Sequence, residues 1–529
     1  MPRPEADRIT LAIAHNEPHR RTPAEPVGAC VRHLKGDSMP PARSHIRNLL
    51  EEYLERHLAE REQLESLLAL LDAEAEPTSH ATFPGHVTCS AAVIDRGRRV
   101  LHIGHKASRK QLAPGGHVED DRTLLAAALR EVCEETGIRP ADLCLTPQFL
   151  GAPIDIDVHD IDANPAKGEP AHQHIDFRFA FYLATEQPPL LALQDEEVSG
   201  AQWLPFADVR SPTLRAKLLN AEAHGLDGQP EPVNASALIH DGHGRYLLHL
   251  RDQRDGIWEP GVFALLGGGR KTDDPCLEAT LRRELAEEAP GLEVADLTPY
   301  AVEEATSVDG LAVPIQVYAG RWSGDPDTAD LQEGVLLRWF TPDMLSRLRL
   351  SPGLGDLVRL HAAEHPAVEV PPDHVRLLRD EAPEGTELHI VGVHLYLQDE
   401  HDRILLGLRH PDSAYAGNEW HFLAGHCERE EAISCLVREA QEEAGLIIEP
   451  DDVELVHLVH LVDSPVARPR IGLVFRARSW SGVPEVLEPD RCVEWRWWNP
   501  KDLPAKVVPY TRAAIDDIGA GRLYTQMGW

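Results

Sequence analysis

Residues 116–138 read GHVEDDRTLLAAALREVCEETGI, a glycine followed by a helical stretch with three glutamates near its end. Glu131, Glu134 and Glu135 are spaced i, i+3 and i+4, so a helix places their carboxylates on one face. Three like charges there destabilise a bare helix, whereas Mg²⁺ prefers carboxylate oxygens together with water and phosphate oxygens. The stretch therefore predicts a helix that binds a divalent cation.

The residues around the glutamates support this prediction. Gly116 lets the backbone pass close to a metal or a phosphate. Arg130 is suited to fix a carboxylate through a bidentate ion pair. Gly137 is typical of a helix end. A single stretch of this kind is also typical of a solvated, glutamate-rich surface helix, so the decision depends on the rest of the chain.

The pattern recurs twice, at domain-sized intervals, and each copy has an upstream glycine at nearly the same spacing. Three such copies make coincidence a poor explanation. The candidate catalytic residues are the glutamates Glu131, Glu134, Glu135, Glu284, Glu287, Glu288, Glu439, Glu442 and Glu443. The candidate metal ligands among them are Glu131, Glu135, Glu284, Glu288, Glu439 and Glu443. The candidate binding residues are Gly116, Arg130, Gly269, Arg283, Gly425 and Arg438.

The surroundings of the three stretches also repeat. Each copy opens with two β-like runs and closes with a tryptophan-containing strand and a short helix, which together predict an α/β or α+β sandwich. The opening runs are Val87–Ile94, Val233–Ile239 and Leu388–Leu397. Linkers rich in proline or glycine lie at Gly225–Pro232 and His365–Pro372. We predict a disordered segment over 1–42 and domains over 43–225, 230–365 and 373–529.

The first domain carries an extension with helical periodicity over residues 44–72. Apolar residues recur there at i, i+3 and i+4 opposite a charged face. This pattern predicts one long helix or a helical pair that packs on the first domain. A dimerisation helix is the alternative.

Composition restricts the function. With 87 acidic and 52 basic residues the formal net charge is −35, which disfavours general nucleic-acid binding because such binding depends on neutralising phosphates. The eight cysteines include no C-x-x-C pair, so we expect reduced packing thiols and no structural zinc. The sequence has no apolar run long enough for a membrane span. We expect a cytoplasmic protein, and a homo-oligomer stays open.

At these residues the chain resembles the Nudix hydrolases, whose signature is G-x₅-E-x₇-R-E-U-x-E-E-x-G-U with U aliphatic. The resemblance implies three Nudix folds in tandem, each a sandwich around a mixed sheet. It also implies hydrolysis of a small nucleotide-like diphosphate with Mg²⁺ or Mn²⁺. In that family the glutamates of R-E-U-x-E-E bind metal, and one of them is a candidate base.

Each copy departs from that signature. Arg122 occupies the place of the first glutamate in the first copy, and Pro275 occupies it in the second. The third copy is one residue short, so that Glu430 keeps the spacing to Arg438 and Glu431 keeps the spacing from Gly425. The second copy also has Leu266 where the family usually has proline. We therefore expect the first and third copies to be active.

Two rival functions stay open. In the first rival function, one or more copies are catalytically weakened and act as nucleotide-sensing or scaffolding modules. The replacements Arg122 and Pro275 motivate this alternative. The second rival is an isoprenoid diphosphate isomerase, which needs a catalytic cysteine and metal-binding histidines. The sequence shows no matching constellation for that activity.

Further candidates rest on position alone. A carboxylate from a later loop often completes the metal site in the family, and the candidates are Glu196 or Glu197, Glu333, and Glu488 or Glu494. His172 and His174 share a strand face with Asp176, which predicts either hydrogen-bonded structural histidines or a site for a phosphate or metal. Trp420 is a candidate for base stacking or a core residue.

Overall fold

The computed structural model describes residues 40–106, 108–165, 168–254, 257–367, 387–413, 415–428, 430–462 and 468–529. Nearly all of the segment predicted to be disordered, together with the start of the third predicted domain, lies outside the described residues. Within the described ranges no helix is long and apolar enough to cross a membrane.

The α-helices in the described part of the chain are α1 (Arg43–Arg56), α2 (Glu65–Asp72), α3 (Leu124–Thr136), α4 (Pro212–Glu222), α5 (Leu277–Glu288), α6 (Leu354–Glu364), α7 (Ala432–Ala444) and α8 (Pro509–Gly519). The strands of the first repeat are β1 (Gly85–Ile94), β2 (Arg99–His105), β3 (Lys110–Leu112), β4 (Gly115–His117), β5 (Leu143–Leu145), β6 (Asp155–Ile161), β7 (His172–Leu183) and β8 (Val198–Pro205).

The strands of the second repeat are β9 (Asn234–His240), β10 (Tyr246–Leu250), β11 (Phe263–Ala264), β12 (Leu266–Gly269), β13 (Ala295–Thr306), β14 (Ala312–Arg321) and β15 (Leu336–Phe340). Those of the third are β16 (Ile390–Tyr396), β17 (Ile404–Arg409), β18 (Trp420–His421), β19 (Leu423–His426), β20 (Val453–Leu461), β21 (Arg470–Ala477), β22 (Cys492–Trp498) and β23 (Tyr524–Met527). The three tandem regions are thus mixed α/β, as the sequence predicts.

A parallel pair of strands lies at the centre of the first sheet. The order is β3-β2-β1-β7-β5, with β4 on β1, β6 on β7 and β8 on β2. Strand β1 runs parallel to β7 and antiparallel to β4. Because β4 leads into the loop before α3, this pairing fixes the start of the loop that precedes the glutamates.

The third repeat uses the same arrangement. Strand β16 runs parallel to β21 and antiparallel to β19, and the sheet order is β19-β16-β21-β20-β23. A second sheet of three strands has the order β18-β17-β22. In the second repeat, β10 pairs antiparallel with β9, β11 and β15.

The N-terminal extension is a pair of helices, α1 and α2, and not one long helix. Their buried residues include Ile46, Leu50, Tyr53 and Leu67, which belong to the same apolar core as residues of β1, β7 and α3. Leu58, between the helices, is 72% exposed. The apolar face of the extension is therefore buried against its own domain.

The chain forms two compact units. One contains Met1–Ser236, Gly268–Leu281 and Pro299–Tyr318, and the other contains Ala237–Gly267, Arg282–Thr298 and Ala319–Trp529. The domain boundaries given above therefore remain predictions.

Candidate active sites of the three repeats

Helix α3 carries the glutamates of the first repeat. Its first turn is capped by the Thr123 hydroxyl, which accepts a hydrogen bond from the Ala126 amide at 3.0 Å. It ends at Gly137, whose φ of 73° lies in the left-handed region that favours glycine. Leu124, Leu129 and Val132 are fully buried. The apolar face thus packs on the sheet and turns the carboxylates toward β4.

Arg130 is the centre of a buried ion-pair network, with only 1% of its side chain exposed. Its Nε and Nη2 each donate to one carboxylate oxygen of Asp121 at 3.0 Å. Its Nη1 donates to Glu131 at 2.8 Å and to Glu134 at 2.9 Å. Nη2 also donates to the His117 carbonyl at 2.7 Å. Arg130 therefore orients carboxylates and leaves no face for a ligand.

Asp121 is a site residue that the sequence analysis missed. It is fully buried and pairs with Arg130 from the position one residue before that of the first signature glutamate. Arg130 therefore has a buried carboxylate partner although Arg122 replaces the signature glutamate. Arg122, at the expected position, instead donates to the Val308 carbonyl at 2.7 Å and to Asp309 at 2.9 Å.

In the third repeat the same role belongs to Glu430. Arg438 is fully buried and contacts Glu430 at 2.6 Å, Glu442 at 2.9 Å and Glu439 at 3.0 Å. Glu430 also contacts Arg338 at 3.1 Å. Of the two glutamates that the spacing left open, Glu430 is thus the partner of the arginine.

The second repeat has an arginine with two glutamate partners. Arg283 lies 2.6 Å from Glu284 and 3.2 Å from Glu287. Asp274 stands nine residues before Arg283, as Asp121 stands nine before Arg130. Its carboxylate accepts a hydrogen bond from the Lys271 amide at 2.8 Å.

The last glutamate of each helix accepts a backbone hydrogen bond from the strand before the loop. Gly115 donates to Glu135 and Gly267 donates to Glu288, both at 2.9 Å, and Ala424 donates to Glu443. Burial raises the pKa of Glu135 and of Glu288 to about 8. Burial also raises the pKa of Glu443 well above its usual range.

In the first and third repeats the residue after the donor has little room for a side chain. A Cβ on Gly116 would lie 2.5 Å from Oε1 of Glu131, and one on Gly425 would lie 2.1 Å from Cδ of Glu439. In the second repeat the donor is Gly267, so the residue at the equivalent position is Gly268. A Cβ on Gly269 would meet nothing nearer than 3.8 Å.

A sequence profile of the NUDIX domain matches residues 84–224, 230–360 and 388–518. The chain belongs to the NUDIX family. A similar protein is a probable DHNTP pyrophosphohydrolase of Lactococcus lactis subsp. cremoris, 30% identical over 133 residues, which are 25% of this chain and 76% of that protein. The chain is accordingly a hydrolase that acts on phosphorus-containing anhydrides.

Solved structures of the family also match single repeats. A MutT NUDIX hydrolase from Burkholderia pseudomallei is 29% identical, and the match covers 25% of this chain and 98% of that protein with a TM-score of 0.23. A MutT protein from Methanosarcina mazei Go1 is 18% identical over 25% of this chain and 95% of its own, with a TM-score of 0.23.

The third NUDIX repeat contains a cavity of about 530 Å³ beside its glutamate helix. Glu439 and Glu443 line it on one side. Its basic lining residues are the arginines Arg347, Arg409, Arg470 and Arg491. In a chain of formal charge −35, this cavity combines carboxylates for a cation with guanidinium groups for an anion.

A later loop in each NUDIX repeat is held on the last glutamate of the helix. The Gln194 amide donates to the Glu135 carbonyl at 3.3 Å, Gln332 to that of Glu288 at 2.7 Å, and Leu487 to that of Glu443 at 3.4 Å. The charges of Glu197, Glu333 and Glu488 raise the pKa of the last glutamate in their respective repeats. These three later-loop carboxylates therefore act electrostatically on the glutamate helices, whereas Glu494 pairs with Arg496.

The third site fits a divalent cation. The Oε2 atom of Glu443 is buried and has no hydrogen-bond partner among the described residues, and the same holds for Oε1 of Glu442. A buried carboxylate oxygen without a partner is costly. A hard cation that takes oxygen ligands would satisfy the Glu443 oxygen at the cavity wall.

Trp420 is a core residue. It is 7% exposed and makes an edge contact with Trp498 at a ring separation of 5.1 Å, and Arg496 lies over its ring at 5.4 Å. Tyr415 and Tyr510 line the cavity instead, so these rings are better placed for a substrate base.

Proposed function

We propose that the chain is a Mg²⁺-dependent pyrophosphohydrolase that cleaves the diphosphate linkage of a nucleoside diphosphate-type substrate, with Mn²⁺ as a replacement cation. The first and third repeats are its active sites. The observation that carries the proposal is the unpartnered Oε2 of Glu443. It belongs to a residue that lines the same cavity as four arginines.

The residues divide the chemistry between them. Glu439 and Glu443 would hold the cation, because both line the cavity whereas Glu442 does not. When bound, the cation lowers the pKa of the attacking water and offsets charge on the phosphoryl oxygens. The arginines of the cavity bind the phosphates through paired hydrogen bonds. A helix glutamate accepts the proton of the water that attacks phosphorus.

Turnover by the full-length protein tests this function. The products of diphosphate cleavage are separated and quantified, with Mg²⁺ and with EDTA, for DHNTP, ADP-ribose, dinucleoside polyphosphates, NDP-sugars, and normal and oxidised nucleoside triphosphates. We expect metal-dependent release from one substrate class, lowered by several orders of magnitude in Glu443→Gln if the third repeat acts alone. The matched control is Glu454→Gln, which changes a half-exposed glutamate of β20. Binding without turnover across the panel would overturn the proposal in favour of a sensing protein.

For the second repeat we propose a scaffolding role. Residues from it contact the loops before both outer glutamate helices. Asp309 pairs with Arg122 at 2.9 Å, within one compact unit. Arg347 makes two hydrogen bonds of 2.9 Å to Glu428, within the other. If this role is correct, Glu288→Gln leaves turnover unchanged, whereas Asp309→Ala lowers it.

In the first repeat an isomerase activity is disfavoured by the state of the Cys89 thiol. Cys89 lies opposite Gly116 in the β1–β4 pairing. Burial raises the pKa of its thiol well above the usual range, so the reactive thiolate form is suppressed.

A further inference from the structure

Three strands of the first repeat bring histidines together beside the glutamate helix. His86 on β1 is the register partner of His174 on β7. His117 on β4 lies next to them because Thr88, two residues beyond His86, pairs with it. The three ring pairs have centroid separations of 4.8, 5.1 and 5.2 Å. One ring nitrogen from each histidine lies within 4.8 Å of the other two.

Hydrogen bonds leave lone pairs on this cluster. The Nδ1 atom of His86 lies 3.3 Å from the Thr82 carbonyl and must donate to it, which leaves the lone pair on Nε2. That Nε2 is buried and has no hydrogen-bond partner among the described residues, on a side chain only 1% exposed. A buried ring nitrogen without a hydrogen-bond partner is costly unless a ligand satisfies it.

A second chain of hydrogen bonds fixes His174. The Nδ1 atom of His172 donates to the Pro170 carbonyl at 2.8 Å, so its Nε2 must accept. His174 Nε2 lies 3.2 Å from that atom and therefore donates, which leaves a lone pair on His174 Nδ1. Ring N–H groups held by backbone carbonyls or neighbouring side chains are typical of histidines that ligate metals.

Burial keeps the rings of His86 and His174 uncharged. Desolvation, together with the neighbouring rings, lowers the pKa of His86 to about 4 and that of His174 to about 3. Neutral imidazoles do not attract a phosphate, but they bind Zn²⁺ and related ions. His117 is exposed, so the cluster is open to solvent on one side and a coordination position is left for water.

We propose that His86, His117 and His174 form a binding site for a zinc-class transition metal ion, separate from the glutamate site of the same repeat. Such an ion links β1, β4 and β7. It therefore holds β4, the strand that contains Gly116 and the amide donor of Glu135. The histidine site and the glutamate site select different ions. Mg²⁺ prefers carboxylate oxygens to imidazole nitrogens, whereas zinc-class ions bind imidazole nitrogens well.

Co²⁺ binding to the tag-free, metal-stripped full-length protein tests the site. Excess Mg²⁺ is present to occupy the carboxylate helices, and the readouts are bound Co²⁺ and its visible absorption. We expect one nitrogen-ligated Co²⁺. His117→Ala and His174→Gln should each lower its affinity at least about 100-fold, because losing a ligand costs no less than losing a group that only orients one. Since His117 is exposed, His117→Ala leaves folding intact.

Two matched controls separate this result from the glutamate chemistry. His224→Ala changes an exposed histidine of the same repeat, and Glu135→Gln changes the carboxylate site. Both should retain the Co²⁺ site, and Glu135→Gln should retain it even if hydrolysis is lost. Wild-type affinity in His117→Ala and His174→Gln, or Co²⁺ that disappears in Glu135→Gln alone, would overturn the proposal.

Discussion

Asp121 and Arg130 form a buried bidentate ion pair, with both N–O distances at 3.0 Å and at most 1% of either side chain exposed. The same arginine donates to Glu131 and Glu134. Asp121 thus fixes the guanidinium that in turn fixes the glutamates. The pair connects the loop before the helix to the carboxylates that the proposed chemistry requires.

Asp121→Asn should loosen helix α3. The substitution removes the negative charge of Asp121 and leaves the buried positive charge of Arg130 only partly balanced. Breaking a buried ion pair in this way lowers the free energy of unfolding by about 3–5 kcal/mol. Hydrogen–deuterium exchange of residues 124–136 in the full-length protein measures the effect, and we expect protection to fall by roughly 100-fold or more. Asp120→Asn, which changes the exposed neighbour, is the control. Equal protection in both variants would show that the pair does not hold the helix.

The glycines of the three repeats should differ in their tolerance of alanine. Gly116→Ala and Gly425→Ala would drive a Cβ into Glu131 and Glu439, so we expect impaired cation binding at those sites. Gly269→Ala meets nothing within 3.4 Å and should be neutral, as should Gly519→Ala in α8, which meets nothing within 4 Å. Titration with Mn²⁺ compares the four variants. Equal loss in Gly269→Ala would contradict the assignment of Gly268 to this position.

The repeat and its glutamates could be predicted from sequence because helical spacing is local. An R-E-x-x-E-E stretch fixes which carboxylates share a face whatever the tertiary contacts are. The mixed α/β class followed from strand-like runs that recur in the same order. These features depend on neighbours within a few residues, which a single sequence displays.

The partner of the central arginine in the first repeat could not be predicted, because it does not keep the spacing of the signature. Counting eight residues back from the arginine finds Glu430 in the third repeat but Arg122 in the first. The carboxylate that pairs with Arg130 is that of Asp121, nine residues before it. The histidine cluster was likewise hidden, since it arises from the β1–β7 register and not from spacing along the chain.

Arg347→Ala should weaken substrate binding at the third site. Arg347 lines the cavity and is held by Glu428 through two hydrogen bonds of 2.9 Å. Loss of a charge-assisted contact to phosphate costs about 1.5–3 kcal/mol, so we expect KM to rise at least about tenfold with a smaller change in kcat. Arg359→Ala, at an exposed position of α6, is the control. A fall in kcat with unchanged KM would assign Arg347 to loop positioning alone.

Leu50→Ala should destabilise the first repeat. Leu50 is fully buried in the core shared by α1, β1 and α3, and truncation of a buried leucine costs about 2–5 kcal/mol. Leu58→Ala removes the same atoms from a side chain that is 72% exposed and should be nearly neutral. Urea unfolding compares the two variants. The opposite result would be an unchanged free energy of unfolding in Leu50→Ala together with a lower molecular mass in solution for Leu58→Ala. That result would identify the extension as a dimerisation element.

The most direct test of hydrolysis at the glutamate helices uses chains in which one repeat at a time is left intact. Glu135→Gln, Glu288→Gln and Glu443→Gln are combined in pairs and as a triple variant. Mg²⁺-dependent turnover of the substrate found with the wild type is then measured. We predict turnover when the first or third helix is intact, and none when only the second helix is intact or in the triple variant. Turnover by the triple variant at the wild-type rate would contradict the account.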